Sequence, residues 1–252
     1  MTTVIHECEE FTLGKRQILI TNDDGIKADG LKRLVVCALE FGEVTVVAPE
    51  SERSAASHSL TLRHSVDVYP IDFGIEGVTA YACSGTPSDC VRVGSLYLMK
   101  DKPDVVMSGI NYGYNVSSDI QYSATLGAAF EGEFQGYHSI AFSESNNGIH
   151  EVTDRYLKEL MAEMLEREYV PGYVDSINFP GCKLSECKGI LRDRTVSRTP
   201  FYTDRYKKTA DLPGGGLSLM VDGIYTPVQE DGNDYGAVLD NYVSVGVVNN
   251  LC

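Results

Sequence analysis

The residues of this chain with the clearest chemical potential are two adjacent aspartates, Asp23 and Asp24. They follow a short apolar run at residues 18–20 and precede Gly25. Such a run is typical of a buried strand, and ligands of open α/β sheets bind beyond the carboxyl ends of the strands. Neighbouring carboxylates repel each other and are costly to desolvate. The pair therefore predicts a site for a hard divalent cation, Mg²⁺ or Mn²⁺, although aspartates are also common turn formers.

Further polar side chains follow the next predicted strands. Asn111 and Asn115 are neutral oxygen donors that can complete a coordination shell, but a loop rich in glycine and asparagine is also favoured for its backbone conformation alone. The loop at residues 49–59 contains Ser54 and His58. Hydroxyl groups suit phosphate oxygens. For His58, a role as general acid and a role as a simple polar contact both stay open.

Ser123 and Thr125 lie where a helix is predicted to begin. Free backbone amides and the helix dipole at such an end favour an anion, and the two hydroxyls can add hydrogen bonds to it. The alternative is ordinary capping of the helix by Ser123. The sequence alone does not separate these two roles.

The elements that must position these residues alternate between strands and helices. Strands at residues 17–21 and 43–48 flank an amphipathic helix at 29–41, which is a βαβ unit and implies parallel strands. Further strands are predicted at residues 60–69, 78–83, 104–107, 139–143 and 174–179, and further helices at 86–99, from 123 and at 152–164. We expect an α/β core at residues 1–182 and a β-rich appendage at 183–252, with a hairpin turn at 214–216 and a terminal strand at 242–248.

Composition limits the classes of function. A formal net charge of -15 disfavours long nucleic acids and anionic membranes as partners. The seven cysteines show no zinc-binding spacing, and neither a signal peptide nor a membrane span is visible. We therefore expect a cytoplasmic protein with reduced thiols. The P-loop, the dinucleotide fingerprint and the hydrolase nucleophile elbow are missing from the sequence.

Several short motifs occur in an order that resembles one family, the SurE survival proteins, which are 5′/3′-nucleotidases. The motifs are Thr21-Asn-Asp-Asp-Gly-Ile26, Val47-Ala-Pro49 with Arg53-Ser54, Ser59-Leu-Thr61, Gly85-Thr-Pro-Ser-Asp-Cys90, Pro103-Asp104 and Ser108-Gly-Ile-Asn111-x-Gly-x-Asn115. The resemblance is close from residue 17 to residue 143. It continues faintly at Asn178-Phe-Pro180 and Asn241-Tyr-Val-Ser-Val245.

The resemblance implies a Rossmann-like three-layer core and a metal-dependent phosphomonoesterase that hydrolyses nucleoside 5′- and 3′-monophosphates. It implies one divalent cation per subunit, held by a set of four residues: Asp23, Asp24, Ser54 and Asn111. Phosphate contacts would fall on Asn115, Ser123 and Thr125, and we predict Ser54 and His58 of the loop at residues 49–59 as further substrate contacts. It also implies a homodimer or homotetramer that forms through the C-terminal segment.

Two departures from the family pattern concern the site itself. Ala55 and Ala124 stand where the family usually has glycine. A nucleotide-binding regulatory protein with weak turnover and a phosphatase for another substrate, such as polyphosphate, therefore stay open as alternatives. Within a nucleotidase, attack by Asp23 to form a phospho-aspartate and direct attack by water also stay open. Asn111 belongs with the two aspartates to the predicted catalytic group.

Overall fold

The computed structural model describes residues 15–249, and its centre is one nine-stranded sheet in the order β3-β4-β2-β1-β5-β6-β7-β13-β8. Residues 1–16 are polar and aperiodic, which predicts a short extension or a weak edge strand, and residues 1–14 lie outside the described residues. The strands of the sheet are β1 (Arg16–Thr21), β2 (Gly42–Pro49), β3 (Val68–Pro70), β4 (Val78–Cys83), β5 (Val105–Tyr112), β6 (His138–Glu144), β7 (Val174–Phe179), β8 (Gly189–Arg194) and β13 (Tyr242–Val248).

The six strands from β4 to β7 across the sheet are all parallel to their neighbours. Strand β1 lies at the centre, between β2 and β5. After β1, the chain forms β2, β3 and β4 toward one edge of the sheet. It then returns and forms β5 on the opposite side of β1. The carboxyl ends of β1 and β5 therefore flank a topological switch point, which is where ligands bind in sheets of this kind.

Helices cover both faces of the sheet and complete the three layers. They are α1 (Asp29–Ala38), α2 (Pro87–Val93), α3 (Ala124–Phe134), α4 (Glu151–Leu165) and the short α5 (Asp234–Leu239). Apolar residues of α1 and α4 share one buried cluster with the sheet, and those of α2 and α3 pack on the opposite face. The α/β fold class predicted from the sequence is therefore confirmed.

The C-terminal part contributes to the sheet as well as to smaller ribbons. Strand β13 pairs antiparallel with β7, and β8 lies parallel to β13. Between them the chain forms two small antiparallel pairs, β9 (Tyr202–Thr203) with β12 (Ile224–Tyr225), and β10 (Tyr206–Leu212) with β11 (Gly216–Val221). The division at residue 183 stays a prediction, and the structure adds that strands beyond it enter the main sheet.

Several predicted elements differ in extent from the observed ones. The strand predicted at residues 60–69 is mostly loop, and only β3 forms there, because the Thr61 amide donates to the Asp89 carboxylate at the start of α2 instead of to a neighbouring strand. Helix α1 ends at Ala38, and α2 gives way to a π-helical turn at Gly94–Leu98. Strand β5 runs on to Tyr112, so that Asn111 belongs to a strand and not to a loop.

Within residues 15–249, none of the helices combines the length and the apolar composition that crossing a membrane requires.

The loop after β2 lies tightly against α3, and glycine makes this possible. A β-carbon on Gly127 would overlap the carbonyl oxygen of Ser57 in that loop. Because the obstacle is backbone and cannot rotate away, a larger residue must displace the loop or the helix.

We therefore expect Gly127→Ala to lower the free energy of unfolding by about 1–2 kcal/mol, even though alanine favours helix over glycine by about 1 kcal/mol. Chemical denaturation measures the effect. The control is Val36→Ala on the exposed side of α1. This substitution adds no atom to a packed contact, so the free energy of unfolding should change little. An unchanged or raised stability for Gly127→Ala would contradict the close approach.

Candidate active site

A tight turn follows β1 and holds the two aspartates at the switch point. Gly25 closes this turn with a φ of +98°, which favours glycine. The side-chain amide of Asn22 donates to the Gly25 carbonyl at 3.0 Å. The Arg53 amide donates to the Asp23 carbonyl at 2.7 Å. The turn is therefore fixed both internally and by the loop after β2.

Asp23 is the most buried acid of the turn, with an exposure of 4 %. The Thr125 hydroxyl donates a hydrogen bond of 2.6 Å to one carboxylate oxygen, Oδ1. Burial nevertheless raises the pKa of Asp23 to about 6, and the charges of Asp24 and Glu52 also act in that direction. The carboxylate is thus held in a place where its negative charge is costly, and a nearby cation would offset that cost.

Asp24 lies beside Asp23 in the same acidic surroundings. Its Oδ2 accepts a hydrogen bond of 3.1 Å from the Tyr112 amide at the end of β5. Burial raises the pKa of Asp24, and the charges of Glu52 and Glu144 add to the effect. Both aspartates are therefore attached to the rest of the switch point by directed hydrogen bonds, and both carry a charge that protein contacts alone leave poorly compensated.

Ser54 and Asn111 bring neutral oxygens to the same place. The Ser54 hydroxyl donates to Glu52 at 2.8 Å, which leaves its lone pairs for another partner. The Asn111 amide nitrogen donates to the Gly113 carbonyl at 2.8 Å, which orients the amide oxygen as the remaining polar atom. Glu52 was not identified from the sequence, because an acid in a polar loop gives no signal until its neighbours are known.

Asn115 and Ser123 complete the polar wall. Asn115 is buried, and its side-chain amide donates to the Ser143 hydroxyl at 2.8 Å. A second hydrogen of the same NH₂ group can serve a phosphate oxygen. Ser123 accepts the Leu126 amide at 3.0 Å and so caps α3. The amino end of α3 therefore lies at the site, where its dipole favours an anion.

Two predicted phosphate contacts do not line this cavity. The Thr125 hydroxyl is engaged by Asp23, so this residue positions the carboxylate. His58 Nε2 lies 2.9 Å from the carboxylate of Glu131 on α3, and its ring packs 5.2 Å from that of Phe134. A contact of His58 with substrate stays a prediction, and in the structure its ring nitrogen is directed toward a buried acid of α3.

The cavity has a volume of about 600 Å³, and its lining combines some of the residues just described with several that the sequence did not identify. Its lining comprises Asp23, Ser54, Ala55, Asn111, Tyr112, Tyr114, Asn115, Ser118, Asp119, Tyr122, Ser123, Pro200, Tyr202, Asp204, Val221 and Gly223. Asp24 borders an adjacent cavity of about 200 Å³. The aromatic side chains offer faces on which a planar ring can stack.

The two alanines that replace the family's usual glycines behave differently. Ala55 has a φ of 59° and so occupies the left-handed region that glycine prefers, at a cost of roughly 1–2 kcal/mol. The loop keeps this conformation despite the added β-carbon. Ala124 is the buried first residue of α3 and needs no unusual backbone conformation. Neither alanine prevents the loop and the helix from bordering the cavity.

Known proteins are similar to this chain in sequence and in fold. The family model described as Survival protein SurE matches residues 18–201. The 5′-nucleotidase SurE of Thermosipho melanesiensis is 38% identical over 231 residues, 90% of this chain and 89% of that protein. Its counterpart from Caldanaerobacter subterraneus is 36% identical over 92% of this chain and 91% of that protein.

The crystal structure of a SurE protein from Aquifex aeolicus superimposes with a TM-score of 0.77 at 33% identity and covers 94% of both chains. The matching fold, the matched range and the identities over nine-tenths of the chain agree with one another. This chain therefore belongs to the SurE family.

Proposed function

We propose that the chain is a 5′-nucleotidase, a divalent-metal-dependent phosphomonoesterase that releases phosphate from nucleoside 5′-monophosphates and also accepts 3′-monophosphates. The observation that carries the proposal is the buried, poorly compensated carboxylate of Asp23 at the switch point, in a cavity lined both by polar donors and by tyrosines. Relatives across nine-tenths of the chain bear the name 5′-nucleotidase.

The donor set fits one hard cation. Asp23 and Asp24 supply two negative charges, and Ser54 and Asn111 supply neutral oxygens oriented by their own hydrogen bonds. Oxygen-only sets of this kind suit Mg²⁺ or Mn²⁺. Buried polar atoms without a partner among residues 15–249 occur at the same edge, namely Asn22 Oδ1 and Ser108 Oγ, and such atoms favour water or a ligand nearby.

The residues of the site have separate roles in phosphate release. When bound, the cation would polarise a phosphate oxygen and compensate the charge of the two aspartates. Asn115 and the amino end of α3 hold other phosphate oxygens as charge moves to the leaving group. Thr125 keeps the Asp23 carboxylate aligned through its short hydrogen bond. Asp23 is the residue we place closest to the chemistry, as nucleophile or as general base.

The rest of the cavity suits a nucleoside. Tyr112, Tyr114, Tyr122 and Tyr202 line it, and aromatic rings of this kind stack on a base through their faces. A volume of about 600 Å³ lies within the usual range for small-molecule sites. The walls also include the loop that contains Pro200, so residues on both sides of position 183 contribute to one cavity.

The C-terminal hairpin supports an oligomer. Leu212, Leu217, Leu219 and Met220 of the β10–β11 pair are all exposed large apolar residues. Exposed apolar patches of this kind mark interaction surfaces. We infer a homodimer or homotetramer in which this hairpin contacts another subunit.

Phosphate release should depend on the Asp23 carboxylate. We expect Asp23→Asn to reduce phosphate release from 5′-AMP by about a thousandfold or more, because the amide carries no charge for the cation and cannot act as base or nucleophile. The assay measures inorganic phosphate from 5′- and 3′-nucleotides with Mn²⁺ or Mg²⁺ and then with a chelator.

The matched control is Asp101→Asn, which makes the same chemical change at an exposed position before β5 and should leave the rate within a factor of about two. Near-normal turnover in Asp23→Asn would show that the site is elsewhere. Release that does not depend on added metal would overturn the proposed cation, and no release from any nucleotide would overturn the enzyme.

The ionisation of Asp23 should make the stability of the folded protein depend on pH. With a pKa of about 6 instead of 3.8, folded Asp23 holds its proton more tightly than the unfolded chain does. Without a cation, this group therefore makes the protein less stable as pH rises from 3.8 to about 6, and the cost at neutral pH is about 3 kcal/mol. In a chelator at neutral pH, Asp23→Asn should melt about 5–10 °C higher than the wild type.

The same melts test the cation. The advantage of Asp23→Asn should disappear as pH falls below about 4, where both chains carry an uncharged group at this position. Added Mn²⁺ should raise the melting temperature of the wild type at neutral pH and leave that of the variant nearly unchanged. A wild type that is more stable than Asp23→Asn in chelator at neutral pH would contradict the uncompensated charge.

A further inference from the structure

We infer that Glu131 is a positioning residue for the proposed cation: through His58, its carboxylate holds the loop after β2 against α3 and so fixes Ser54 relative to Asp23. The inference rests on the proposed function. Glu131 does not line the cavity of the candidate site, so its effect on that site must pass through another residue.

The loop after β2 needs support from other parts of the chain. Ala55 and Ser57 have φ values of 59° and 53°, although neither is glycine. Such left-handed conformations persist in other residues only where surrounding contacts hold them. Before Ser54, the Arg53 amide donates to the Asp23 carbonyl at 2.7 Å. The position of Ser54 therefore also depends on the contacts that hold the loop beyond it.

Helix α3 provides these contacts with residues on one of its faces. Gly127, Glu131 and Phe134 recur at helical spacing. Gly127 lets the backbone of Ser57 approach the helix closely. One turn later, His58 Nε2 lies 2.9 Å from Glu131 Oε2, and the centroids of the His58 and Phe134 rings are 5.2 Å apart. Because an ionised carboxylate only accepts hydrogen bonds, the His58 nitrogen is the donor.

Other contacts fix the Glu131 side chain itself. Glu131 is buried, with an exposure of 3 %. Its Oε1 accepts a hydrogen bond of 2.9 Å from the Gln135 side chain, and Arg92 lies 3.8 Å from the same oxygen. Burial alone would raise the pKa of Glu131, but the hydrogen bonds from His58 and Gln135 outweigh burial and hold the pKa below its ordinary value. The acid is therefore a charged and well-ordered acceptor for His58.

Ser57 adds contacts that are more exposed to water. Its amide donates at 3.1 Å to the Tyr122 carbonyl, and its hydroxyl donates at 2.7 Å to the Gln121 carbonyl. Both acceptors belong to exposed residues just before α3. Hydrogen bonds are stronger where water is excluded. The contact between His58 and Glu131, with side-chain exposures of 18 % and 4 %, is therefore the firmer of these attachments.

One helix thus fixes two segments of the proposed cation site. Near the start of α3, the Thr125 hydroxyl donates to the Asp23 carboxylate at 2.6 Å. Farther along the same helix, Glu131 fixes the loop that carries Ser54 through His58. Because both contacts belong to one helix, together they set the separation of Asp23 and Ser54. Residues that orient metal ligands typically change metal affinity by about tenfold or more.

The experiment measures the dissociation constant for Mn²⁺ without nucleotide, from the electron paramagnetic resonance signal of the free ion. We expect Glu131→Ala and His58→Phe each to raise it about tenfold, because both remove the hydrogen bond. The phenyl ring of His58→Phe keeps the packing on α3. Glu131→Gln keeps an acceptor oxygen without the charge and should raise the constant at most about threefold. The matched control is Glu76→Ala, which removes the same charge at an exposed position between β3 and β4 and should have no effect.

Coupling to Ser54 gives a second readout that a purely structural role would not produce. In a Ser54→Ala background, Glu131→Ala should change the Mn²⁺ dissociation constant by less than about twofold, because the ligand that Glu131 positions is already missing. At saturating Mn²⁺, kcat for 5′-AMP in Glu131→Ala should return to within about threefold of the wild-type value, because Glu131 does not touch the substrate.

Unchanged Mn²⁺ affinity in Glu131→Ala and His58→Phe, with normal hydrolysis of 5′-AMP, would overturn the inference and leave the proposed function intact. Equal weakening by Glu131→Gln and Glu131→Ala would attribute the effect to charge and would also overturn the inference, as would full additivity with Ser54→Ala. If Glu131→Ala fails to fold, His58→Phe decides the question. Absence of phosphate release by a wild type that binds Mn²⁺ would instead overturn the proposed function, while the Mn²⁺ measurements would still decide the role of Glu131.

Discussion

The negative charge of Asp23, held almost out of reach of water at the end of the central strand, is the constraint on which the site depends. The Thr125 hydroxyl donates a hydrogen bond to this carboxylate, and the Arg53 amide holds the Asp23 carbonyl, while the charge of the neighbouring Asp24 adds to the cost of ionisation. Keeping this buried group ionised costs about 3 kcal/mol at neutral pH, which is a large fraction of the free energy of unfolding of a typical domain. Under the proposed function, a bound cation would offset this cost by compensating the charge.

The topology explains why so few local features are needed to build the site. Strands β1 and β5 are parallel neighbours, with Thr21 opposite Ser108, so the turn after one strand and the last residues of the other necessarily meet. Close approaches then set the fine geometry. A β-carbon on Gly109 would overlap the Phe142 carbonyl of β6, and one on Gly127 would overlap the loop that carries Ser54. Glycine at these two positions permits the packing that brings neutral oxygens to the acids.

The sequence predicted the part of the site that depends on strand ends, and it failed where a contact depends on tertiary packing. Asp23, Asp24 and Asn111 could be placed because the order of strands and helices fixes which edge they occupy. The contact of His58 with Glu131 could not be foreseen, because Glu131 lies on a helix 73 residues later. Tyr202 and Asp204 were missed because residues 200–223 carry no periodic pattern that would place them over the sheet. The terminal strand at 242–248 was predicted, but its antiparallel place beside β7 follows from the path of the whole C-terminal part.

The electrostatics of the cavity follow from the same arrangement. A chain with a net charge of -15 and a cavity without a lysine or arginine in its described lining is a poor general receptor for anions. Under the proposed function, the only strong positive centre would be the cation at Asp23, and the helix end at Ser123 and the neutral amide of Asn115 would add oriented dipoles. Affinity for phosphate would then be concentrated at one point. A substrate could present one phosphate there, while the remainder of the molecule would have to be uncharged and flat enough to lie between tyrosines. The cavity would thus favour a nucleoside because its described lining has no cationic side chain. The lack of a cationic side chain also makes the buried charge of Asp23 costly.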